Sequence, residues 1–150
     1  MKFANISIAL DYITFNYYFF HHVYVDFKNT KAFSSFSVKD LGESKKFYGE
    51  TLGLDVSETD EGLILHTTGG NDVFLYPKAD HTPATFTVLN FVFDDVDKAV
   101  DELTKMGIRF QIYDKGQLKT DNRGVFQGKP KIAWFKDPSE NFLSILENDN

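Results

Sequence analysis

The chain has 150 residues, a length typical of one domain, and its 42% apolar and 25% charged residues are typical of a globular protein. Its formal net charge is -6 and it contains no basic run, which argues against nucleic acid or an anionic membrane as a partner. Cysteine is absent, which excludes disulfides, thiolate metal sites and cysteine nucleophiles.

Residues 1–30 differ from the rest of the chain because they are rich in aromatic side chains. The apolar run after Lys2 ends at Asp11 with no small-residue cleavage site, which disfavours a signal peptide. Polar residues interrupt every window long enough to span a membrane. His21 and His22 are adjacent and would point to opposite faces of a strand, which disfavours a shared metal. We interpret residues 1–30 as an extension that is either weakly ordered, docked as an extra strand, or not part of the core domain.

The segment from residue 32 to residue 79 predicts a module with the order β-α-β-β-β. Small and apolar residues alternate over 32–38, as in a strand with two different faces. Asp40 is suited to cap a helix, and Gly53 is suited to end it. Three further strands are predicted, with a glycine-containing turn over 69–71 between the last two. These strands span 55–60, 63–68 and 72–76.

The same order recurs over residues 86–148, after a linker that contains His81. A strand over 87–93 leads to Asp95, which is suited to cap a helix ending at Gly107. Further strands are predicted over three segments, which are 108–113, 131–135 and 141–146. The polar segment 114–130 is predicted to be a long loop, and loops of this length often serve as lids. The proposed lid residues are Lys119, Asp121, Asn122 and Arg123.

Two such modules in tandem resemble the vicinal oxygen chelate superfamily of glyoxalases, bleomycin-resistance proteins and extradiol dioxygenases. The resemblance rests on FSVKDLGESKKFYGETLGL in the first module and on FVFDDVDKAVDELTKMGI and WFKDPSENFLSIL in the second. It covers residues 32–148, within one domain over 31–150. It implies an α+β fold in which two βαβββ modules form a curved mixed sheet, a cup with helices outside and ligands inside.

Alternation along the strands assigns each side chain to the helix side or to the cup. The residues predicted to pack beneath the helices are Phe36, Val38, Leu89, Phe91 and Phe93. The predicted ligand-binding residues share the opposite face, and they are Phe33, Ser35, Phe74, Tyr76, Val88, Asn90, Phe142 and Ser144. A shift of one residue in register would exchange the two sets.

The resemblance implies that metal-dependent relatives carry His or Glu ligands on the first and last strands of each module. The corresponding positions in this chain are Phe33, Phe74, Val88 and Ser144. Three of these side chains cannot coordinate a cation and a lone hydroxyl is a poor ligand, so we predict no metal and no cofactor. His66 and His81 are interpreted as structural. Ser35 and Ser144 have no evident base, which disfavours either as a nucleophile.

These features favour a protein that sequesters a small organic or aromatic compound without turnover, as resemblance to the bleomycin-resistance branch implies. The alternative is a metal-dependent lyase or dioxygenase of the same superfamily with a shifted metal site. A third interpretation is a scaffold or regulatory domain that binds no small ligand. The resemblance also implies a homodimer. We expect a cytoplasmic protein whose partner is a small molecule rather than nucleic acid or a membrane.

Overall fold

The structure, a computed structural model, describes residues 26–69, 71–116 and 118–148. The chain divides into two units, residues 1–32 and residues 33–150. In the first unit, a short 3-10 helix (Phe27–Asn29) follows Asp26, whose carboxylate accepts a hydrogen bond of 3.0 Å from the backbone N–H of Lys28. Most of the extension predicted over residues 1–30, including His21 and His22, lies outside the described residues.

The described part of the second unit contains two helical segments and eight strands. Helix α1 (Leu41–Lys45) continues directly as a π-helix (Lys46–Thr51), and α2 spans Val96–Lys105. The strands are β1 (Ser34–Val38), β2 (Asp55–Glu58), β3 (Leu63–His66), β4 (Val73–Pro77), β5 (Thr87–Phe93), β6 (Val125–Phe126), β7 (Ile132–Lys136) and β8 (Phe142–Glu147). Neither helix is long and apolar enough to cross a membrane.

The strands form two four-stranded sheets with the same strand order. The first sheet is ordered β1-β4-β3-β2 and the second β5-β8-β7-β6. In each sheet the first and last strands of the module pair in parallel and the other pairs are antiparallel, so both sheets are mixed. The predicted α+β fold with two tandem βαβββ modules is therefore confirmed.

Both helices begin and end where the sequence predicts. The side chain of Asp40 accepts a hydrogen bond of 2.7 Å from the backbone N–H of Glu43, and Asp95 accepts one of 2.9 Å from that of Lys98. Gly53 and Gly107 follow the helices at φ values of 73° and 92°, in the left-handed region that favours glycine.

One face of each sheet packs against its helix to form the core. In the first module this face carries Phe36 and Val38, which pack with the buried Tyr48. In the second module Leu89 and Phe91 pack against the same core, as predicted. The prediction for Phe93 was wrong, because this side chain is 40% exposed at the end of β5, where the chain leaves the sheet for α2. We call the other face of each sheet its open face.

The second module takes its second strand from an unexpected segment. The predicted strand over 108–113 forms only an isolated bridge between Phe110 and Phe135, and β6 lies instead within the segment predicted to be a loop. The carboxylate of Asp121 explains this position, because it accepts hydrogen bonds of 2.9 Å from the backbone N–H groups of Arg123 and Val125. These bonds stabilise a tight turn, after which residues 125–126 pair with β7.

Candidate functional site

A row of four side chains crosses the open face of the first sheet. Strand register places Ser35 opposite Phe74, Phe74 opposite Ile64, and Ile64 opposite Ser57. Cross-strand neighbours of this kind lie close enough for their side chains to touch. The face therefore has an apolar centre, Phe74 and Ile64, between two hydroxyl groups.

Aromatic rings extend this apolar centre along β4. The rings of Phe74 and Tyr76 are stacked, with centroids 6.3 Å apart and planes inclined by 23°. Tyr76 is 37% exposed, so part of this aromatic surface is open to a ligand. Such rings offer large contact area and, through the phenol of Tyr76, a hydrogen-bonding group at one end.

Side chains on the open face of the second sheet are engaged with one another. Ser144 is fully buried, and its hydroxyl donates a hydrogen bond of 2.6 Å to Oδ1 of Asn90. Trp134 lies opposite Ser144 and packs edge-on against Tyr113 at a centroid distance of 5.8 Å. On the same face, Nζ of Lys136 lies 5.0 Å from the ring centroid of Phe142. The hydroxyl of Ser144 is therefore already engaged with Asn90.

A cavity of about 460 Å³ is lined by residues of β1, β5 and the linker between the modules. Its volume falls in the range of small-molecule sites. Three of the predicted site residues line it, namely Ser35, Tyr76 and Val88. Phe86 adds an aromatic side chain that is 69% exposed. Phe74 stacks on Tyr76 beside the cavity.

The other predicted site residues do not line this cavity. Asn90, Phe142 and Ser144 lie on the open face of the second sheet, and Phe33 precedes β1 with 68% of its surface exposed. The assignment of all eight residues to one ligand site stays a prediction.

Hydrogen bonds from both modules meet beside the cavity. The side chain of Asn141 donates a bond of 3.0 Å to the carbonyl of Ser37, and its Oδ1 accepts one of 3.3 Å from the backbone N–H of Ala84. His81 lies between Ser37 Oγ and the carbonyl of Ser139, at 2.9 Å from each. Because a carbonyl only accepts, Nε2 of His81 carries the proton and Nδ1 accepts from the hydroxyl of Ser37. This is the structural role predicted for His81.

A buried phenol also joins the two modules, close to Asn141. The hydroxyl of Tyr48 donates a hydrogen bond of 2.9 Å to Oδ2 of Asp137, and both residues are buried. The carboxylate of Asp137 also accepts from the backbone and side-chain N–H groups of Asn141, at 2.8 and 3.1 Å. Burial, followed by the nearby carboxylate of Asp137, strongly raises the pKa of Tyr48. The phenol therefore stays protonated as a donor.

His66, which the sequence analysis interprets as structural, has a side-chain partner at each ring nitrogen. Its Nε2 lies 2.6 Å from Ser57 Oγ, and its Nδ1 lies 3.0 Å from Oδ1 of Asp72. The sequence carried a signal for this arrangement, since the short connection between β2 and β3 places Glu58 opposite Leu63. That register puts Ser57 and His66 on one face.

The segment predicted to be a lid is tied to helix α2. Arg123 donates to Asp101 at 3.3 Å and also contacts Asp97, and Lys131 contacts Asp97 at 2.6 Å. The hydrogen bond from Lys131, followed by that from Arg123, holds the pKa of Asp97 below its usual range. These ion pairs give Arg123 a structural role on the helix side.

The described residues do not fit the divalent metal that metal-dependent relatives carry. Phe33, Phe74 and Val88 have no donor atom, and the hydroxyl of Ser144 is engaged with Asn90. Elsewhere in the described ranges, no group of three or more His, Asp or Glu side chains is close enough to hold a metal ion.

Comparison with protein families gives one match that covers most of the chain. The model of the Glyoxalase/Bleomycin resistance protein/Dioxygenase superfamily matches residues 21–145. A search of curated protein sequences found no significant match.

Solved structures similar to this chain share its fold at low sequence identity. An antibiotic binding protein from Streptomyces sp. CB03234, TnmS3, is 22% identical, with a TM-score of 0.56 over 81% of this chain and 98% of that one. A bleomycin resistance determinant encoded on the transposon Tn5 is 18% identical, with a TM-score of 0.59 over 81% and 100%. The fosfomycin resistance protein FosX from Listeria monocytogenes is 14% identical, with a TM-score of 0.57 over 80% and 93%.

Proposed function

Because the chain belongs to the Glyoxalase/Bleomycin resistance protein/Dioxygenase superfamily, we propose that it binds and sequesters a small organic compound with an aromatic part. The observation that carries the proposal is the cavity of about 460 Å³, bordered by the stacked rings of Phe74 and Tyr76. An aromatic ligand stacks on these rings, and the hydroxyl groups of Ser35 and Tyr76 orient it by hydrogen bonds. Val88 supplies an apolar wall from β5.

Antibiotics are the ligand class that the similar structures suggest. TnmS3 is described as an antibiotic binding protein and the Tn5 protein as a bleomycin resistance determinant. Both are similar to this chain in fold, and neither function requires the ligand to be changed chemically. Bleomycin is accordingly a reasonable first probe for a protein that we place in the cytoplasm.

A homodimer is part of the proposal. Phe33, Phe86 and Val92 are 68%, 69% and 60% exposed, and large apolar side chains left in water favour association. A second copy that covers these side chains would also enclose the cavity more fully. The mass of the native protein, measured by light scattering during gel filtration, tests this point. A monomer at micromolar concentration would contradict it.

Ligand binding is tested by titration calorimetry with bleomycin and by native mass spectrometry of protein purified from cells. Replacing Phe74 and Tyr76 with alanine removes the aromatic surface, and we expect affinity to fall at least about tenfold, since stacking of aromatic groups contributes roughly 0.5–1.5 kcal/mol per pair beyond burial. Met106→Ala is the matched control, because Met106 is 52% exposed at the end of α2. Equal binding by the double variant and the control would refute the proposed site.

The alternative enzyme is distinguished by metal content. A lyase or dioxygenase with a shifted site would retain a stoichiometric metal ion after purification. Elemental analysis of protein purified without chelators separates the two functions. We expect no stoichiometric metal, and a stoichiometric transition metal would favour the enzyme.

A further inference from the structure

Ser57, His66 and Asp72 form a hydrogen-bonded series on the open face of the first sheet. Because a carboxylate only accepts, Nδ1 of a neutral His66 donates to Asp72, and this leaves Nε2 as an acceptor. The hydroxyl of Ser57 therefore donates to Nε2 over 2.6 Å. This tautomer is the one in which an imidazole can remove the proton of an attacking serine.

A second serine–histidine pair, formed by β1 and the linker between the modules, lacks this arrangement. Ser37 also donates to an imidazole, that of His81, but the far nitrogen of His81 is bonded to a backbone carbonyl. A neutral carbonyl stabilises a developing imidazolium less than a carboxylate does. Of these two pairs, the one that includes Ser57 thus has a carboxylate, that of Asp72, bonded to the far nitrogen of its imidazole.

The series is open to substrate and to water. Ser57 is exposed, and the side chains of His66 and Asp72 are 35% and 55% exposed. Asp55 lies directly opposite His66 in the register of β2 and β3. Ile64 and Phe74 continue the row from Ser57 across the sheet and offer an apolar surface to an acyl group.

We propose that Ser57 is an acyl-accepting nucleophile toward small carboxylic esters, with His66 as its general base and Asp72 as a positioning residue. The oxygen of Ser57 bonds to the ester carbonyl carbon while its proton passes to Nε2 of His66. The carbon–oxygen bond to the alcohol then breaks, and His66 returns the proton to the departing alcohol. Water attacks the acyl-serine by the same route, which releases the carboxylic acid and restores the hydroxyl of Ser57.

The test uses the full chain and p-nitrophenyl acetate. We expect a burst of nitrophenolate, and an acetyl group on Ser57 when the digested protein is examined by mass spectrometry. Ser57→Ala removes that adduct and the burst. His66→Gln slows acylation by at least about 100-fold, the usual lower limit for loss of general base catalysis. Thr68→Ala is the control. Thr68 lies two residues after His66, and its exposed hydroxyl is not part of the series of Ser57, His66 and Asp72.

The positioning role of Asp72 is tested by measuring the acylation rate and KM separately in the variant Asp72→Asn. Asp72→Asn is expected to lower the acylation rate at least about tenfold and to leave KM unchanged, because the amide cannot stabilise an imidazolium. Equal rates in Asp72→Asn and the wild type, no acetyl group on Ser57, or a full burst from Ser57→Ala would each overturn the proposal. Bleomycin binding is measured separately on the same variants, so loss of ligand binding and loss of acylation are told apart.

A cysteine variant provides a test that does not depend on the folding of Ser57→Ala. The chain has no cysteine, so Ser57→Cys introduces its only thiol. If His66 acts as a base, iodoacetamide alkylates this thiol faster than it does in the double variant that also carries His66→Gln. Equal alkylation rates would also overturn the proposal.

Discussion

The two modules differ in the turns that join their last two strands. In the second module this turn (residues 137–141) is mostly buried and is bonded to the first module. In the first module the equivalent turn (residues 67–72, of which Gly70 lies outside the described residues) is mostly exposed. We call them the second-module turn and the first-module turn. Equivalent positions of a repeated fold therefore serve two different purposes.

Each turn has a distinct set of hydrogen bonds. In the second-module turn, the carboxylate of Asp137 accepts from Tyr48, and Ser139 Oγ accepts a bond of 2.8 Å from the backbone N–H of Lys39. The described bonds of the first-module turn are local, from Thr67 to the carbonyl of Asn71 and from His66 to Asp72. One turn stabilises the junction of the modules, and the described hydrogen bonds of the other stay within the first module.

Replacing Asp137 should produce the largest effect on stability. Asp137→Ala leaves the phenol of Tyr48 and two N–H groups of Asn141 without their acceptor in the interior. We expect the free energy of unfolding to fall by about 3 kcal/mol or more, since each buried group left unpaired costs about 1–3 kcal/mol. Urea unfolding at neutral pH measures this. A loss below about 1 kcal/mol would mean that water replaces the carboxylate.

Tyr48→Phe tests the same junction from the other module. It removes one donor and keeps the ring, so we expect a loss of about 1–3 kcal/mol. The pKa of Tyr48 is raised in the folded protein. The stability that the protonated phenol adds is therefore fully present below the unfolded pKa of 10.0 and declines as pH rises above that pKa. The wild type should therefore lose stability above pH 10 more steeply than Tyr48→Phe. Parallel curves would contradict the linkage.

Acid should weaken the contact between α2 and the segment around Arg123. The pKa of Asp97 in the folded protein is lowered by Lys131 and Arg123. The ionised carboxylate therefore adds to the free energy of unfolding above the unfolded pKa of 3.8, and this stability is lost as pH falls below that pKa. The wild type should lose stability below pH 4 more steeply than Asp97→Asn, and chemical unfolding at several pH values measures this. Asp114→Asn is the control, because Asp114 has no ion pair among the described residues.

Asp72→Ala should have the smallest effect on stability. Asp72 is exposed and its bond to His66 lies on the surface, so we expect a change below about 0.5 kcal/mol. Thermal unfolding of Asp72→Ala beside Asp137→Ala compares the two turns directly. If both variants lose similar stability, the first-module turn is a structural element like the second and the contrast between the modules fails.

Local signals in the sequence were sufficient for most of the fold. Asp40 and Asp95 cap helices through bonds to residues three positions later, so their roles depend on adjacent sequence alone. The segment over 108–113 alternates like a strand, yet the ladder next to β7 is completed by residues 125–126. The turn at Asp121 determines which of the two segments pairs with β7, and the alternation of apolar residues does not reveal that turn.

The side-chain contacts on the open faces were harder to predict because they depend on register and on distant contacts. Ser57 and His66 meet only because β2 and β3 pair as they do, and Asp72 reaches them from the start of β4. Burial of Ser144 beneath its neighbours on the second sheet likewise follows from packing that alternation does not encode. Alternation assigns a side chain to a face, and packing decides whether a ligand can reach that face.

The π-helix after α1 has a consequence for how the sequence can vary. Its wide turn is closed by a hydrogen bond of 2.9 Å from the backbone N–H of Leu52 to the carbonyl of Phe47, and it contains Tyr48. Deleting one residue ahead of Tyr48, such as Lys46, would rotate the phenol by roughly a quarter of a turn around the helix axis relative to the capped end. The ring would then point away from Asp137. Variants of this protein should accordingly tolerate substitutions in the segment far better than changes in its length.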